Sequence, residues 1–350
     1  MKKIMSTILI LAMLLALASC AAKTEQEAVS PEPEQAQETV VEEPVAEPAE
    51  KVAVKVAAMK GPTGMGMSKL MEDNAINATA NEYTFDLFSA PDELTAKLVT
   101  GEYDIAAIPT NLAANLHKKT EGQIQLLALN TLGVLHIMQN SPDGQLISDL
   151  SELKGKTVYA TGQGSNPEYV LNYLLRQSGL EPGVDVTIEY LAAHDELVAL
   201  AATGEVEYCM LPEPNVSVLS NKNADMKAAI DLTEVWENSN AEGVLTMGCL
   251  VVNKAFADAN PDAVKSFLEE YAASVDYVNS DAAAAAELIV KYEIVGAAPV
   301  AQKALPNCNI VCITGDEIWP AIEGYYKVLF DAQPASVGGA MPESGMVWAG

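Results

Sequence analysis

The 350-residue sequence has only one arginine, Arg176. The planar guanidinium of arginine is the side chain best suited to hold a carboxylate, phosphate or sulfonate through two parallel hydrogen bonds. Arg176 falls in a predicted helix, well away from the glycine-rich turns of the sequence. The sequence therefore nearly excludes an arginine clamp on an anion. Lys60, beside the first glycine-rich turn, is the basic residue that we place near a binding cleft, although a solvated strand end is the alternative.

Histidine is also scarce, since the chain has three. None of His117, His136 and His194 shows the spacing to cysteine or carboxylate residues that indicates a zinc site or a nucleophilic triad. His194-Asp195 is interpreted as a helix start, and His136 as a packed structural residue, with a cleft contact as its alternative. The sequence predicts no enzyme activity, no metal and no cofactor.

Basic residues are far fewer than acidic residues in this chain. Lysine and arginine together number 20 against 48 aspartate and glutamate residues, which gives a formal net charge of −28. Nucleic acids and anionic membrane surfaces repel such a chain. The charge therefore argues against either surface as a partner.

The first twenty residues have the features of an export signal. Two lysines precede an apolar run from Ile4 to about Leu17, and a small-residue box ends at Cys20. The run is shorter than the ~20 apolar residues that a membrane-spanning helix needs. We expect a lipoprotein signal peptide over residues 1–20, with Cys20 carrying diacylglycerol and palmitate. The mature protein would then be extracytoplasmic and tethered to the bacterial cell membrane by acyl chains alone.

Residues 21–51 have the composition of a tether. They are rich in Glu, Pro, Ala and Gln, contain no aromatic residue, and carry nine acidic against two basic side chains. Such a segment cannot bury enough apolar surface to offset its chain entropy, and its like charges repel one another. We predict a disordered, extended spacer.

One unit occurs twice, at residues 92–109 and 195–212, with no gap between the aligned copies. Each copy predicts a helix with an acidic first turn that ends at Gly101 or Gly204, where a left-handed residue is favoured. A short apolar strand and a proline-containing loop follow. In open α/β sheets ligands bind beyond the carboxyl ends of the strands, so two such units predict two similar lobes that face a shared cleft.

A strand and a glycine-rich turn precede each copy of this unit. The strands are predicted over Val52–Met59 and Lys156–Ala160. Each turn leads into a helix, and Ser165 or Asn166 is expected to cap the second one. Glycine-rich strand-to-helix turns present backbone N–H groups, which favours ligands with an anionic or carbonyl group. An ordinary tight turn is the alternative interpretation.

The order of the elements predicts how the lobes are connected. We expect an α/β fold in which lobe 1 consists of residues 52–133 and 246–350 and lobe 2 of residues 134–245. A predicted strand at Met247–Asn253 returns the chain to lobe 1, so that the chain crosses between the lobes twice. Two extended crossings form a hinge that permits closure around a ligand.

The remaining cysteines give no metal site. Cys308 and Cys312 are four positions apart on a predicted strand, roughly 13 Å at about 3.3 Å per residue, which is too far for a disulfide. Cys209 and Cys249 both lie in apolar strand segments that we assign to the second lobe. A disulfide between them is left open, although buried free thiols are favoured.

Residues 149–165, DLSELKGKTVYATGQGS, resemble the start of the second lobe in substrate-binding proteins of ABC transporters. The similar class binds nitrate, taurine, alkanesulfonates or thiamine precursors. Glu213-Pro214 and Asn260-Pro261 match later elements, and the resemblance covers about residues 52–332. It implies the two-lobed type II periplasmic binding protein fold. It also implies a monomer that hands a small-molecule ligand to a permease with its ATPase.

The resemblance further implies which loops contact the ligand. The positions lie in four loops after predicted strands: Thr63, Gly64, Met65, Ser89, Thr110, Asn111, Gly164, Ser165, Asn166 and Glu213. Glu213 carries the most information, because a carboxylate facing a cleft can accept hydrogen bonds from an amino-substituted or cationic ligand. Its alternative role is to cap a neighbouring helix.

Two departures from the family affect the ligand. Many relatives have an aromatic residue where this chain has Pro212, and the anion binders of the family often use an arginine that this cleft lacks. We therefore expect a nitrogen-bearing heterocycle, such as a pyrimidine or thiamine precursor, with a sulfonate or nitrate as the alternative.

Two other functional classes stay open. A ligand sensor on the same scaffold is one of them. Some enzymes of thiamine and menaquinone biosynthesis also share the fold, but an export signal argues against them because their metabolites are cytoplasmic.

Overall fold

The computed structural model describes residues 51–350. The predicted signal peptide, Cys20 and the tether up to residue 50 lie outside the described residues. The strands, in chain order, are β1 (Ala53–Met59), β2 (Glu82–Phe88), β3 (Ile105–Pro109), β4 (Ile124–Leu132), β5 (Leu135–Asn140), β6 (Thr157–Thr161), β7 (Thr187–Leu191), β8 (Tyr208–Pro212), β9 (Met226–Asp231), β10 (Thr246–Asn253) and β11 (Ile310–Thr314).

The α-helices cover the faces of the sheets that these strands form. In chain order they are α1 (Pro62–Met65), α2 (Ser68–Ala75), α3 (Pro91–Val99), α4 (Thr110–Lys119), α5 (Asn166–Gln177), α6 (His194–Ala202), α7 (Asn215–Lys222), α8 (Leu232–Glu237), α9 (Lys254–Ala259), α10 (Pro261–Ser280), α11 (Ala282–Lys291), α12 (Ala298–Ala304) and α13 (Ile318–Ala332). Within residues 51–350 no helix has both the length and the apolar character that crossing a membrane requires.

Two sheets with matching strand orders form the framework. The six-stranded sheet has the order β11-β4-β10-β3-β1-β2 and the five-stranded sheet the order β7-β6-β8-β5-β9. In both sheets three strands run parallel, and the third of them pairs antiparallel with the strand that enters from the other sheet. The internal duplication predicted from the sequence is therefore confirmed at the level of strand order.

Each copy of the repeated unit forms the predicted helix and strand. Helices α3 and α6 begin at proline or histidine ahead of the acidic pair, and Gly101 and Gly204 follow them with φ of 73° and 85°. Glycine adopts this left-handed conformation without the clash that a Cβ would cause. The strands that follow are buried on both faces, as a central strand requires.

Two local expectations are wrong. Ser165 does occupy the position before α5, but its hydroxyl donates to the Gly162 carbonyl at 2.6 Å and caps no N–H group of that helix. Cys249 lies in β10 of the six-stranded sheet, whereas Cys209 lies in β8 of the other sheet. Both thiols are free and buried, and so is Cys308. Burial raises the pKa of Cys209 to about 12, which keeps this thiol protonated and unreactive at neutral pH.

The chain passes between the sheets twice. Residues 133–134 join β4 to β5, and residues 238–245 lead from α8 to β10. The first passage is tight, because a Cβ added at Gly133 would lie 2.2 Å from the Thr233 hydroxyl oxygen. Strand pairing alone does not test the predicted lobe boundaries, which stay a prediction; below, lobe 1 and lobe 2 denote the parts built on the six- and five-stranded sheets.

Helix α13 packs against both parts of the molecule. The Tyr326 hydroxyl donates to the Thr110 carbonyl of lobe 1 at 3.0 Å, and the Tyr325 ring lies 6.3 Å from the Trp236 ring of lobe 2. A single buried apolar cluster consequently extends from one sheet to the other through this helix. Beside the second crossing, the Val244 N–H donates to the Ala321 carbonyl at 2.7 Å.

The contact between α13 and the second crossing gives a stability prediction. A Cβ added at Gly324 would lie 1.9 Å from the Glu242 carbonyl oxygen, and backbone atoms cannot move aside as a flexible side chain can. Replacing a helical glycine by alanine stabilises by about 0.4–1 kcal/mol where space allows. Overpacking, which costs about 1–3 kcal/mol, outweighs that gain here. We expect Gly324→Ala to lower the free energy of unfolding, measured by urea denaturation.

Gly345→Ala is the matched control, because nothing lies within 4 Å of a Cβ at that position. It should leave the denaturation midpoint unchanged or raise it slightly. Equal midpoints for both variants would contradict the close packing of α13.

Candidate functional site

A cleft of about 800 Å³ lies where strands of both sheets end. Residues just after β1 and β3 line it from lobe 1, and residues just after β6, β7 and β8 line it from lobe 2. The carboxyl ends of parallel strands are where α/β sheets bind ligands, because the loops there are free to vary while the sheet holds them in place. The duplicated unit thus directs equivalent loops at one cavity.

Six of the eleven positions predicted to bind ligand line this cleft: Lys60, Thr63, Asn111, Ser165, Asn166 and Glu213. Lys60 is exposed and Thr63 half-buried at the mouth of the first glycine-rich turn. The Thr63 carbonyl accepts a hydrogen bond from the Asn130 side chain at 2.9 Å, which holds the turn on β4.

The other five predicted positions do not line the cleft. Met65 and Thr110 are fully buried, and the Thr110 hydroxyl lies 3.0 Å from that of Thr246 inside lobe 1. Gly64 is also buried, since a Cβ there would lie 2.5 Å from the Met59 carbonyl oxygen. Ser89 and Gly164 are exposed, but neither lines the cleft. Their assignment to the site stays a prediction without support from the cleft geometry.

Many N–H groups of the glycine-rich turns have partners inside the protein. Gly64 and Met65 donate to the Gly61 carbonyl at 3.0 and 3.1 Å. In the second turn, the Gly164 N–H donates to the Glu168 carboxylate. An anion would have to displace these hydrogen bonds, so the turns are poorly suited to the anion-binding role that their sequences suggest.

Glu213 reaches the cleft but is only 2% exposed. Its carboxylate accepts hydrogen bonds from the Ser217 N–H and the Ser217 hydroxyl, both at 3.1 Å, at the start of α7. The Asn307 amide nitrogen of lobe 1 lies 3.5 Å from the same carboxylate. Glu213 therefore does cap a neighbouring helix, and it also spans the two lobes at the edge of the cavity.

The cleft contains a histidine that the sequence analysis assigned only to a helix start. His194 is the first residue of α6, as predicted, and it lines the cleft. Its Nδ1 lies 2.7 Å from the hydroxyl oxygen of Thr161, the last residue of β6. Burial lowers the pKa of the imidazole, and the neighbouring Asp195 only partly opposes this effect. The ring is therefore neutral at physiological pH.

The other two histidines bond to backbone carbonyls. His136 is buried, with Nδ1 3.3 Å from the Val134 carbonyl and Nε2 3.8 Å from the Asp231 carboxylate. The Nδ1 atom of His117 lies 2.8 Å from the Ile124 carbonyl oxygen. Neither lines the cleft, which agrees with the structural interpretation of His136.

Asn166 is the most buried of the predicted binding residues on the second glycine-rich turn. It is 5% exposed, and its amide nitrogen donates to the Met247 sulfur at 3.2 Å across the cleft. Its carbonyl oxygen Oδ1 is buried and has no hydrogen-bond partner among the described residues. A buried polar atom left unpaired costs about 1–3 kcal/mol. This atom is therefore a position at which a ligand donor would be favourable.

Six prolines line the cleft: Pro62, Pro91, Pro109, Pro167, Pro212 and Pro214. None of the lining residues is aromatic. Proline rings offer flat apolar surfaces with no N–H donor and little freedom to move. Their regular occurrence after strands in both copies of the repeated unit was the available sequence signal.

The charges in the cleft are mostly negative. Asp195 and Glu213 line it together with a single lysine, Lys60, at its edge. Arg176 pairs with Glu181 on the exposed face of α5, 3.1 Å between Nη2 and Oε1, and takes no part in the cleft. The cavity therefore favours a neutral or cationic ligand over an anion.

Comparison with known proteins agrees with this architecture. The sequence model of the NMT1-like family matches residues 83–292. No curated protein matches the chain.

Several solved structures share the fold of this chain at low sequence identity. An ABC transporter protein from Parabacteroides distasonis matches with a TM-score of 0.72 and 21% identity, over 85% of this chain and 99% of that one. The periplasmic aliphatic sulphonate binding protein SsuA from Escherichia coli matches with a TM-score of 0.66 and 18% identity, over 85% and 92%. The periplasmic nitrate-binding protein NrtA from Synechocystis PCC 6803 matches with 0.59 and 15%, over 85% and 84%.

At these identities the comparison concerns the fold. The prediction of a two-lobed α/β fold of the type II periplasmic binding proteins is confirmed. The predicted binding residues are untested by it.

The buried carboxyl of Glu213 gives a pH prediction. Burial raises its pKa above the ordinary 4.5, although hydrogen bonds from Ser217 and the nearby His136 lower it in part. A carboxyl whose pKa is higher in the folded state holds its proton more tightly when folded. Its contribution to stability is therefore present at low pH and is lost as pH rises from the unfolded pKa through the folded one.

Glu213→Gln removes this titration. The unfolding free energy of the variant minus that of the wild type should rise over that pH window and then become constant. Urea denaturation from about pH 4 to about pH 8 measures this difference. Glu205→Gln, at an exposed position, is the matched control. A flat difference for Glu213→Gln would mean that burial does not perturb this carboxyl.

Proposed function

The chain belongs to the NMT1-like family, and from that premise we propose that it is the solute-binding component of an ABC importer. The cleft between two sheets that are joined by two short crossings carries this proposal. A small solute that contacts both sets of strand-end loops does so fully only when the lobes are close together. Ligand binding then shifts the population towards the closed form, which a permease with its ATPase can recognise. The structural neighbours, an ABC transporter protein and two periplasmic binding proteins, support this proposal.

We propose an extracytoplasmic location with a lipid anchor at Cys20. The support is the sequence of the first twenty residues, with its apolar run and the small-residue box before the cysteine. The acidic segment that follows would act as a spacer between the membrane and the binding lobes, with the protein a monomer. Metabolic labelling with a fatty acid analogue tests this, since Cys20→Ser should abolish the label.

We further propose that the solute is a nitrogen-bearing heterocycle of the pyrimidine or thiamine-precursor type. Asp195 and Glu213 outnumber Lys60 in the cleft, and Arg176 lies elsewhere. Many of the turn N–H groups that could hold a sulfonate or nitrate already have internal partners. The rigid proline faces suit a flat ring, although no aromatic residue lines the cleft.

A thermal-shift screen of the purified protein tests the solute class. A ligand that binds only the native state raises the melting temperature by mass action, whatever its chemistry. We expect a rise with 4-amino-2-methylpyrimidine or a larger aminopyrimidine and none with taurine, methanesulfonate or nitrate. A rise with the anions alone would mean that Lys60 and the turn N–H groups carry recognition. If none of these compounds raises the melting temperature, a ligand sensor or an enzyme on the same scaffold would be favoured over an importer component.

Glu213→Gln tests the part of Glu213 in recognition. We expect the affinity for the solute found in the screen to fall at least tenfold, equivalent to ~1.4 kcal/mol. The loss follows because a carboxylate bonds more strongly than an amide to an amino or cationic group. Isothermal titration measures it, with Glu205→Gln as the exposed control. Unchanged affinity would leave Glu213 with only its helix-capping and interlobe role.

A further inference from the structure

The hydrogen bond between Thr161 and His194 determines which ring nitrogen carries the proton. Thr161 is 3% exposed, and the only partner of its hydroxyl among the described residues is His194 Nδ1. If Nδ1 carried the proton, the buried hydroxyl hydrogen of Thr161 would have no acceptor. If Thr161 donates to Nδ1, both groups are satisfied.

The neutral imidazole must then carry its proton on Nε2. This atom has no hydrogen-bond partner in the described part of the chain, and it is not fully buried. His194 is half-buried and lines the cleft. Thr161 therefore fixes the N–H donor of this cleft-lining residue on Nε2 before a ligand arrives.

The orientation of the Asn166 side chain is fixed by a similar argument. Its NH₂ group donates to the Met247 sulfur, a weak acceptor. Rotating the amide by half a turn would place the carbonyl oxygen against that sulfur and lose the donor. The observed orientation leaves Oδ1 as a buried, unpaired acceptor on a residue that lines the cleft.

We propose that His194 and Asn166 form a donor–acceptor pair that selects the ligand on lobe 2. The His194 Nε2–H meets an acceptor on the solute, and the Asn166 carbonyl oxygen meets a donor. The complementary chemistry is a neutral solute that carries a ring nitrogen or carbonyl next to an amino or amide N–H. An aminopyrimidine edge has this pattern, whereas nitrate or a simple alkanesulfonate such as methanesulfonate has no donor for Asn166. This inference rests on the proposed solute-binding function and names its specificity residues.

The first test needs no ligand. Long-range ¹H–¹⁵N NMR spectra of the histidine side chains distinguish the two neutral tautomers. In the wild type, the His194 ring should show a protonated Nε2 and an unprotonated Nδ1. In Thr161→Val, which keeps the shape and loses the hydroxyl, the tautomer preference should weaken. A protonated Nδ1 in the wild type would overturn the proposal, whatever the protein binds.

The second test compares two probes that differ in one donor. 4-Amino-2-methylpyrimidine has both the ring acceptor and the amino donor, whereas 2,4-dimethylpyrimidine lacks the donor. We expect the wild-type protein to prefer the amino compound at least tenfold in isothermal titration. Asn166→Leu should abolish the preference, and Asn166→Asp, which keeps an acceptor, should retain it.

The His194 variants should give a different result with the same probes. His194→Leu should weaken both compounds by a similar factor of about ten, the scale of one lost hydrogen bond to a neutral group, and keep the preference. His194→Gln, which retains an N–H donor, should recover most of the affinity. Melting temperatures of all variants separate loss of folding from loss of recognition.

The possible failures can be told apart. If neither pyrimidine binds the wild type, the solute class proposed above is wrong, and the solute found in the screen is titrated instead. If that solute binds His194→Leu and Asn166→Leu as tightly as the wild type, the donor–acceptor pair is overturned while the binding function stands.

Discussion

The fold depends on the close passage of helix α13 against the second crossing between the sheets. Gly324 brings this helix against the Glu242 carbonyl, and no larger residue could take its place without displacing the backbone. The aromatic contacts of the same helix then reach Trp236 on one side and Thr110 on the other. A helix that is packed against both lobes restricts their relative motion to small rotations about the crossings. Under the proposed function, closure around a solute would be a hinge movement about the two crossings, which this helix restricts.

The polar groups of the cleft are concentrated at the strand ends. The parallel strands hold the loops there in defined positions. The proline-rich lining adds rigidity where a flexible loop would lose entropy upon binding. The proposed polar recognition then depends on a few side chains that are held in place by hydrogen bonds to neighbouring residues. Glu213 is supported by Ser217, His194 by Thr161, and Asn166 by Met247.

The sequence predicted the framework because the repeated unit is local. An acidic first turn, a glycine end and an apolar strand follow one another within eighteen residues, and both copies fold as expected. The site was predicted less well because it depends on contacts between distant segments. Thr110 follows the strand as the resemblance implies, yet it faces Thr246, 136 positions later, and not the cavity. Cys249 was assigned to the second lobe although the strand that contains it was itself predicted to return to lobe 1, and the pairing of that strand with β3 and β4 places the cysteine in lobe 1.

His194 is a site residue that the sequence alone does not reveal. In the sequence it starts a helix and precedes an aspartate, which is a common arrangement without functional meaning. Only the pairing of β6 with β7 brings the end of one strand beside the end of the next, so that Thr161 reaches the histidine ring. The hydroxyl then gives a residue at an ordinary helix start a defined tautomer and a free donor. Because parallel pairing aligns strand ends, residues just beyond neighbouring strands meet even when they are thirty positions apart, and searching those pairs for polar partners would find such sites from strand order alone.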